Sequence, residues 1–214
     1  MAANRTIFLV DGFNLYHSLC DASRDLGKVS TKWLDLRALC NSYLPAIGGG
    51  AALEGVYYFS ALAAYKLAVD PNVTTRHRAY IECLRETGVH VELSKFKSKP
   101  RWCPVCKRKN ISHEEKETDV AIGVKLMEVF FRDLCDTAAI VTGDSDLVPA
   151  ARSARSLFPG KMLCVISPYL RVGYELETHA NKSFRIKRGK YLAHQLLNPF
   201  PRADGTTVSR PASW

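Results

Sequence analysis

Four aspartates stand where metal or acid–base chemistry could be built. Asp11 closes an apolar run in V-D-G-F-N, and Asp144 and Asp146 close a second in V-T-G-D-S-D-L. Asp119 opens an apolar helical segment in E-K-E-T-D-V-A. Two unit charges 4 Å apart repel by ~1 kcal/mol in water and ~4 kcal/mol at an effective dielectric near 20. Four carboxylates therefore share one place only if protons or cations compensate. Hard oxygen donors suit magnesium or manganese. A cation so held can polarise a phosphoryl oxygen and generate hydroxide from water, and a nucleic-acid phosphodiester is the matching anion. Each residue also has a plainer role. An aspartate after a strand often makes a turn or a helix cap, Asn14 could cap the helix it starts, and Asp144 with Asp146 could form an Asx-turn. Asp119 would suit the positive end of a helix dipole.

The elements that must position these residues can be read from apolar patterning. Thr6–Val10, Gly55–Ser60, Val89–Leu93, Ala138–Thr142 and Met162–Ile166 read as buried parallel strands, with Phe184–Ile186 as a short sixth. Helical patterns lie between them at Asn14–Ala22, Leu34–Tyr43, Thr74–Thr87, Thr118–Cys135, Leu147–Leu157 and Tyr169–His179. This alternation predicts a three-layer α/β/α sandwich with a mainly parallel central sheet. Ligands bind such sheets beyond the carboxyl ends of the strands, where the strand order reverses. If the first and fourth strands are neighbours there, Asp11, Asp144 and Asp146 converge. Val120, Val124, Met127, Phe131 and Leu134 recur at helical spacing, and are expected to pack the Asp119 helix on the core. Gly123 would permit close backbone approach one turn later.

Composition narrows the class. Of 214 residues, 47% are hydrophobic and 24% charged, enough apolar content for one buried core. No apolar run approaches the ~20 residues of a spanning helix, and no secretory leader is evident, so a cytoplasmic protein without a membrane partner is expected. Five of seven cysteines, Cys20, Cys40, Cys83, Cys135 and Cys164, fall in apolar segments, the pattern of reduced, buried thiols. The 30 basic residues exceed the 21 acidic ones by nine, which points to a polyanion partner.

Lys95–Asn110 carries seven Lys or Arg and no acid, and reads as an exposed insertion at the sheet edge or rim. Lys95, Lys97, Lys99, Arg101, Lys107 and Arg108 could track a phosphate backbone, with Trp102 and Phe96 available to stack on unpaired bases. A solvated charged loop would look the same. Cys103 and Cys106 form a C-P-V-C half-site that suits structural zinc, with His113 as a third candidate ligand and the fourth unidentified. Arg185, Lys187, Arg188 and Lys190 could extend the basic surface. His17 and His77 are expected on helices and His90 in a strand, none with a positioned catalytic partner. The expected layout is one domain over residues 1–195, with the basic, Cys-containing insertion at about 95–113, and a disordered tail at 196–214.

Three segments, V-D-G-F-N-L-Y at Val10–Tyr16, E-K-E-T-D-V-A at Glu115–Ala121 and V-T-G-D-S-D-L-V-P at Val141–Pro149, resemble the NYN-domain family, LabA-like branch, within the PIN-like nuclease superfamily. The family often shows glycine where Thr118 stands. The resemblance implies a metal-dependent ribonuclease in which Asp11, Asp119, Asp144 and Asp146 hold Mg2+ or Mn2+. It implies that Asn14 orients the metal shell or substrate and that Ser145 contacts a ligand or phosphate. Water activated by metal would attack phosphorus in line, leaving 5′-phosphate and 3′-hydroxyl ends. The expected partner is single-stranded or structured RNA, with a homo-oligomer as a further expectation. Two alternatives stand beside this reading. One is an RNA-binding or regulatory protein of the same fold without useful turnover. The other is a phosphatase using Asp11 as nucleophile, disfavoured because Gly12 and Phe13 follow where a second aspartate would be needed.

Overall fold

The computed structural model describes residues 3–102, 104–105 and 107–214, without the side chains of Asn110, Glu114 and Glu115. Strand β1 (Asn4–Asp11) leads into α1 (Gly12–Asp25), followed by α2 (Leu36–Asn41), α3 (Leu44–Ile47) and β2 (Ala51–Ala61). Helix α4 (Val73–Glu86) precedes β3 (His90–Trp102) and β4 (Lys109–Lys116). Then come α5 (Thr118–Phe131), β5 (Thr137–Val141), α6 (Val148–Leu157), β6 (Met162–Ser167), α7 (Tyr174–Thr178), β7 (Lys182–Arg185) and α8 (Arg188–Ala193). A two-stranded hairpin, β8 (Phe200–Pro201) with β9 (Thr207–Val208), ends the chain.

The main sheet runs β4-β3-β2-β1-β5-β6-β7 and is parallel except for β4. Its order reverses between β1 and β5, the adjacency the sequence required for the aspartates to meet. Successive side chains of a strand point to opposite faces, so β1 serves two cores. Phe8 and Val10 join Leu15, Trp33, Tyr80 and Tyr191 on one side, while Ile7 and Leu9 join Ile122, Leu126, Val129 and Ala151 on the other. The result is the three-layer α/β/α sandwich expected. Cys20, Cys40, Cys83, Cys135 and Cys164 are free thiols, all but Cys20 buried. Among the described residues no helix is long and apolar enough to cross a membrane.

Two expectations need correction, and the basic insertion takes a definite form. Helix α5 does pack on the core, but with a different stripe from the one the spacing suggested. Val120, Val124 and Phe131 are 69%, 62% and 81% exposed, whereas Ile122, Leu126, Val129 and Phe130 are buried; Met127 is partly buried against the same core, as is Leu134 beyond the helix end. The segment is apolar nearly all round, so periodicity alone does not fix its phase. Gly123 gives α5 its close approach to α6, since a Cβ there would lie 3.2 Å from that of Ala150. The basic insertion is a β-ribbon: β3 continues nine residues past Leu93 and pairs antiparallel with β4 from Lys95↔Lys116 to Trp102↔Lys109. The segment expected to be a disordered tail is ordered. Phe200, Val208 and Trp214 pack against the core, Trp214 lies 5.7 Å from the Tyr80 ring, and Ser30 Oγ donates to the Trp214 carbonyl at 2.6 Å. Three apolar anchors spaced through a polar stretch suffice to hold it.

Candidate active site

The site forms where β1 and β5 end. Asp11 is the last residue of β1 and also the N-cap of α1. Its Oδ1 accepts from the N–H of Phe13 at 3.0 Å and of Asn14 at 2.9 Å, satisfying two of the donors that a helix start leaves unpaired. The cap is therefore Asp11 rather than Asn14. The other carboxylate oxygen, Oδ2, accepts from Thr142 Oγ1 at 2.8 Å, and that hydroxyl in turn accepts from the Asp144 N–H at 3.1 Å. Asn14 Oδ1 accepts from the Gly143 N–H at 3.1 Å, and Asp144 Oδ1 from the Asp146 N–H at 3.0 Å. These bonds lock the first helix to the loop after β5. Gly143 is needed there, because a Cβ would fall 2.1 Å from the Arg171 carbonyl oxygen.

Asp119 arrives from a different element. Glu117 takes a left-handed backbone conformation (φ 80°) between β4 and α5, a sharp turn uncommon for a residue with a side chain. Asp119 then shares a helix face with the buried Ile122 and Leu126, at i, i+3 and i+7. The face that anchors α5 thus carries the carboxylate over the strand ends. Ligand oxygens of Asp11, Asp119 and Asp144 lie within 4.8 Å of one another. Asp11, Phe13, Asn14, Thr118, Asp119 and Asp144 line a cleft of about 170 Å3, room for a cation with several waters at ~10–15 Å3 each.

The electrostatics match the geometry. Partial burial, and then the charges of Asp11, Asp144 and Asp146, push the Asp119 carboxyl up to about 6. An all-oxygen, all-anionic donor set of this kind fits a hard divalent cation. Asp146 acts on Asp119 electrostatically but lies outside the three-carboxylate cluster, exposed in the short 3-10 turn Ser145–Leu147. Ser145, also exposed, begins that turn.

The ribbon stands beside this cleft. Its alternation puts Lys95, Lys97, Lys99 and Arg101 on one face, all exposed, and Lys97 Nζ pairs with Glu117 at 3.4 Å, at the turn into α5. Phe96, on the opposite face, lies 6.0 Å from the Phe13 ring and 4.9 Å from that of Tyr65. Trp102, Lys107 and Arg108 are exposed toward the ribbon's end. The proposed zinc half-site Cys103 and Cys106 lies outside the described residues. His113, its third candidate, pairs with Ser98 in the ribbon and stacks on Tyr65 at 4.2 Å. The second basic cluster does not extend this surface: it sits at the other edge of the sheet, on and after β7. There Arg185 bonds Glu177, Arg188 donates to the Asp25 carbonyl and Lys190 to Ser42 Oγ. His17 is on α1, His77 on α4 and His90 at the start of β3.

Sequence reasoning missed Thr142, whose hydroxyl joins Asp11 to Asp144. Its position between the apolar run and G-D-S-D was the available signal. Thr142→Val should leave the fold standing and weaken Mn2+ binding ~10–100-fold, the usual effect of removing a partner that orients a ligand. Isothermal titration would measure it, and an unchanged affinity would deny Thr142 a positioning role.

The NYN domain profile matches residues 5–161. That span holds β1, the ribbon, the acidic cluster and α6, and the chain belongs to the NYN-domain family, whose fold is that of PIN-like nucleases. No curated protein matches the chain. A crystal structure of a protein of unknown function from Vibrio parahaemolyticus is similar in fold, with a TM-score of 0.57 at 16% identity over 86% of this chain and 94% of that one.

Proposed function

We propose that this chain is a divalent-metal-dependent ribonuclease of the LabA-like branch, working with Mg2+ or Mn2+. The observation that carries the reading is the convergence of Asp11, Asp119 and Asp144 at the reversal of strand order. Family membership supports RNA as the substrate, and the cationic face of the ribbon beside the cleft supports it again. A divalent cation bound there would supply charge neutralisation at phosphorus and a nucleophile at neutral pH. Asp11, Asp119 and Asp144 would hold it, with Asp146 at the margin. Thr142 and Asn14 fix the angle between the α1 start and the β5 loop, so the carboxylates stay set for the ligand. Lys95, Lys97, Lys99 and Arg101 would carry the RNA backbone toward the cleft. Trp102, Lys107 and Arg108 would extend that surface, and Ser145 lies within one residue of two acids, suited to a phosphate oxygen.

The test is cleavage of 5′-labelled single-stranded and hairpin RNA by the purified chain, with Mn2+ or Mg2+ and then with excess chelator. Cleavage that stops on chelation and leaves 5′-phosphate ends is expected. RNA that stays intact under every metal condition while remaining bound would leave only the binding-protein reading. The ribbon has its own signature. Changing Lys97, Lys99 and Arg101 together to alanine should reduce the slope of log affinity against log salt by ~2, at ~0.7 for each single-strand phosphate no longer neutralised. An unaltered slope would remove the ribbon from the RNA path.

A further inference from the structure

A second cavity lies behind Phe13, and the acidic site makes no use of it. It encloses about 110 Å3, well under the ~300–1,000 Å3 of pockets for drug-sized ligands, which suits one ring system. Its walls include the rings of Phe13, Tyr16, Tyr65, Tyr80, Phe96 and Trp214. Phe13 also lines the acidic cleft, so the two chambers share a wall.

Two further observations describe what would fit. Lys32 and Lys66, both lining residues, hold their ammonium groups 5.6 Å and 5.7 Å from the ring centres of Tyr16 and Tyr65. Arg76, the third cation of the lining, is bonded to Asp70, which leaves the two lysines for an anionic group of a ligand. An uncharged aliphatic ligand would gain nothing from the lysines. A planar ring attached to a phosphate would use both the stacking surface and the charge.

We propose that this pocket receives one unpaired nucleobase of the RNA strand whose phosphodiester lies in the acidic cleft. The inference rests on the ribonuclease reading and deepens it, because it makes strand state a condition of cleavage. A base enters such a pocket only out of a helix, so paired RNA must first be opened. The ring of Phe13 then stands between the seated base and the carboxylates, placing a phosphate of the same or the adjoining nucleotide beside Asp11.

The experiment separates the pocket from turnover. The four nucleoside 5′-monophosphates and ribose 5-phosphate are titrated calorimetrically into the full chain in excess chelator. At least one nucleotide is expected to bind tenfold or more tightly than ribose 5-phosphate. Tyr65→Ala should erase most of that preference. Since Tyr65 also touches Phe96 and His113 of the ribbon, Tyr16→Ala provides a second variant on the α1 side, and thermal melting confirms that each is folded. Nucleotides that bind no better than the sugar phosphate overturn the pocket even if RNA is cut. So does a base preference that survives both substitutions. A base preference abolished in both variants, in a chain that cuts no RNA under any metal condition, supports the pocket and defeats the nuclease reading alone.

Discussion

Asp119→Asn is expected to abolish metal-dependent RNA cleavage, by ~100-fold or more, and to raise the melting temperature of the metal-free protein at pH 7.5. The first effect follows from removing one of three ligands from a cation asked for several kcal/mol of charge stabilisation. The second follows from the direction of the Asp119 shift. Its carboxyl titrates near 6 in the fold, against ~3.9 for a free aspartate. Relative stability from this group is therefore fully present below pH ~3.9 and declines as pH rises through about 6. At pH 7.5 the ionised carboxylate is opposed first by its partial burial and then by the charges of Asp11, Asp144 and Asp146. Neutral asparagine relieves ~1 kcal/mol of that after allowance for solvent screening, or ~2–4 °C in a domain of this size. Mn2+ should raise the melting temperature of the parent chain and leave the variant nearly unmoved. A variant that melts lower than the parent without metal, or that still gains stability from Mn2+, would remove Asp119 from the site.

Gly143→Ala should be the most damaging single methyl in the molecule. The added carbon would sit 2.1 Å from the Arg171 carbonyl oxygen and 2.6 Å from its carbon, with the Gly173 nitrogen at 3.3 Å. Both sides of this contact are backbone, so no side chain can swing away. Forced separation of the β5 and β6 loops should cost ~3 kcal/mol, a fall of ~6–12 °C in melting temperature. It would also stretch the Gly143 N–H bond to Asn14 and shift Asp144, so Mn2+ affinity should drop with stability. Gly173→Ala meets its nearest atoms at 3.0–3.2 Å and should cost less. Urea unfolding of the two variants orders them, and an equal or reversed order would contradict the clash.

Much of the fold was legible in the residues themselves. Each of the six apolar runs overlaps a strand, most plainly in β1, β5 and β6, where central parallel strands are apolar on both faces and bear a signal that loops do not. The meeting of Asp11 with Asp144 followed from topology alone. The phase of α5 was not legible: Val120-Val124-Phe131 and Ile122-Leu126-Val129 are both apolar stripes, and only the neighbours decide which one is covered. The ribbon was hidden differently. Its K-F-K-S-K-P-R-W stretch alternates with period two, the pattern of a strand, but the density of charge pointed only to an exposed insertion and left its pairing unread. Trp214 illustrates a third limit, since one large ring can pin a segment whose composition otherwise argues against order. The neighbourhood of Thr142 and the aromatic chamber behind Phe13 depend on the approach of distant segments, which spacing does not encode.

Asp11 and Asp119 are unlike in how far the fold depends on them. Asp11 holds the start of α1 through two amides and Thr142 through its second oxygen, and removal of such a cap alone costs ~0.5–2 kcal/mol. Asp119 destabilises its own surroundings. On the nuclease reading, a descendant of this chain released from the need for turnover would shed Asp119 readily and keep Asp11 for architectural reasons. When a new sequence of this kind is met, the aspartate after the first strand therefore testifies to folding, and the one that opens the fifth helix to continuing chemistry.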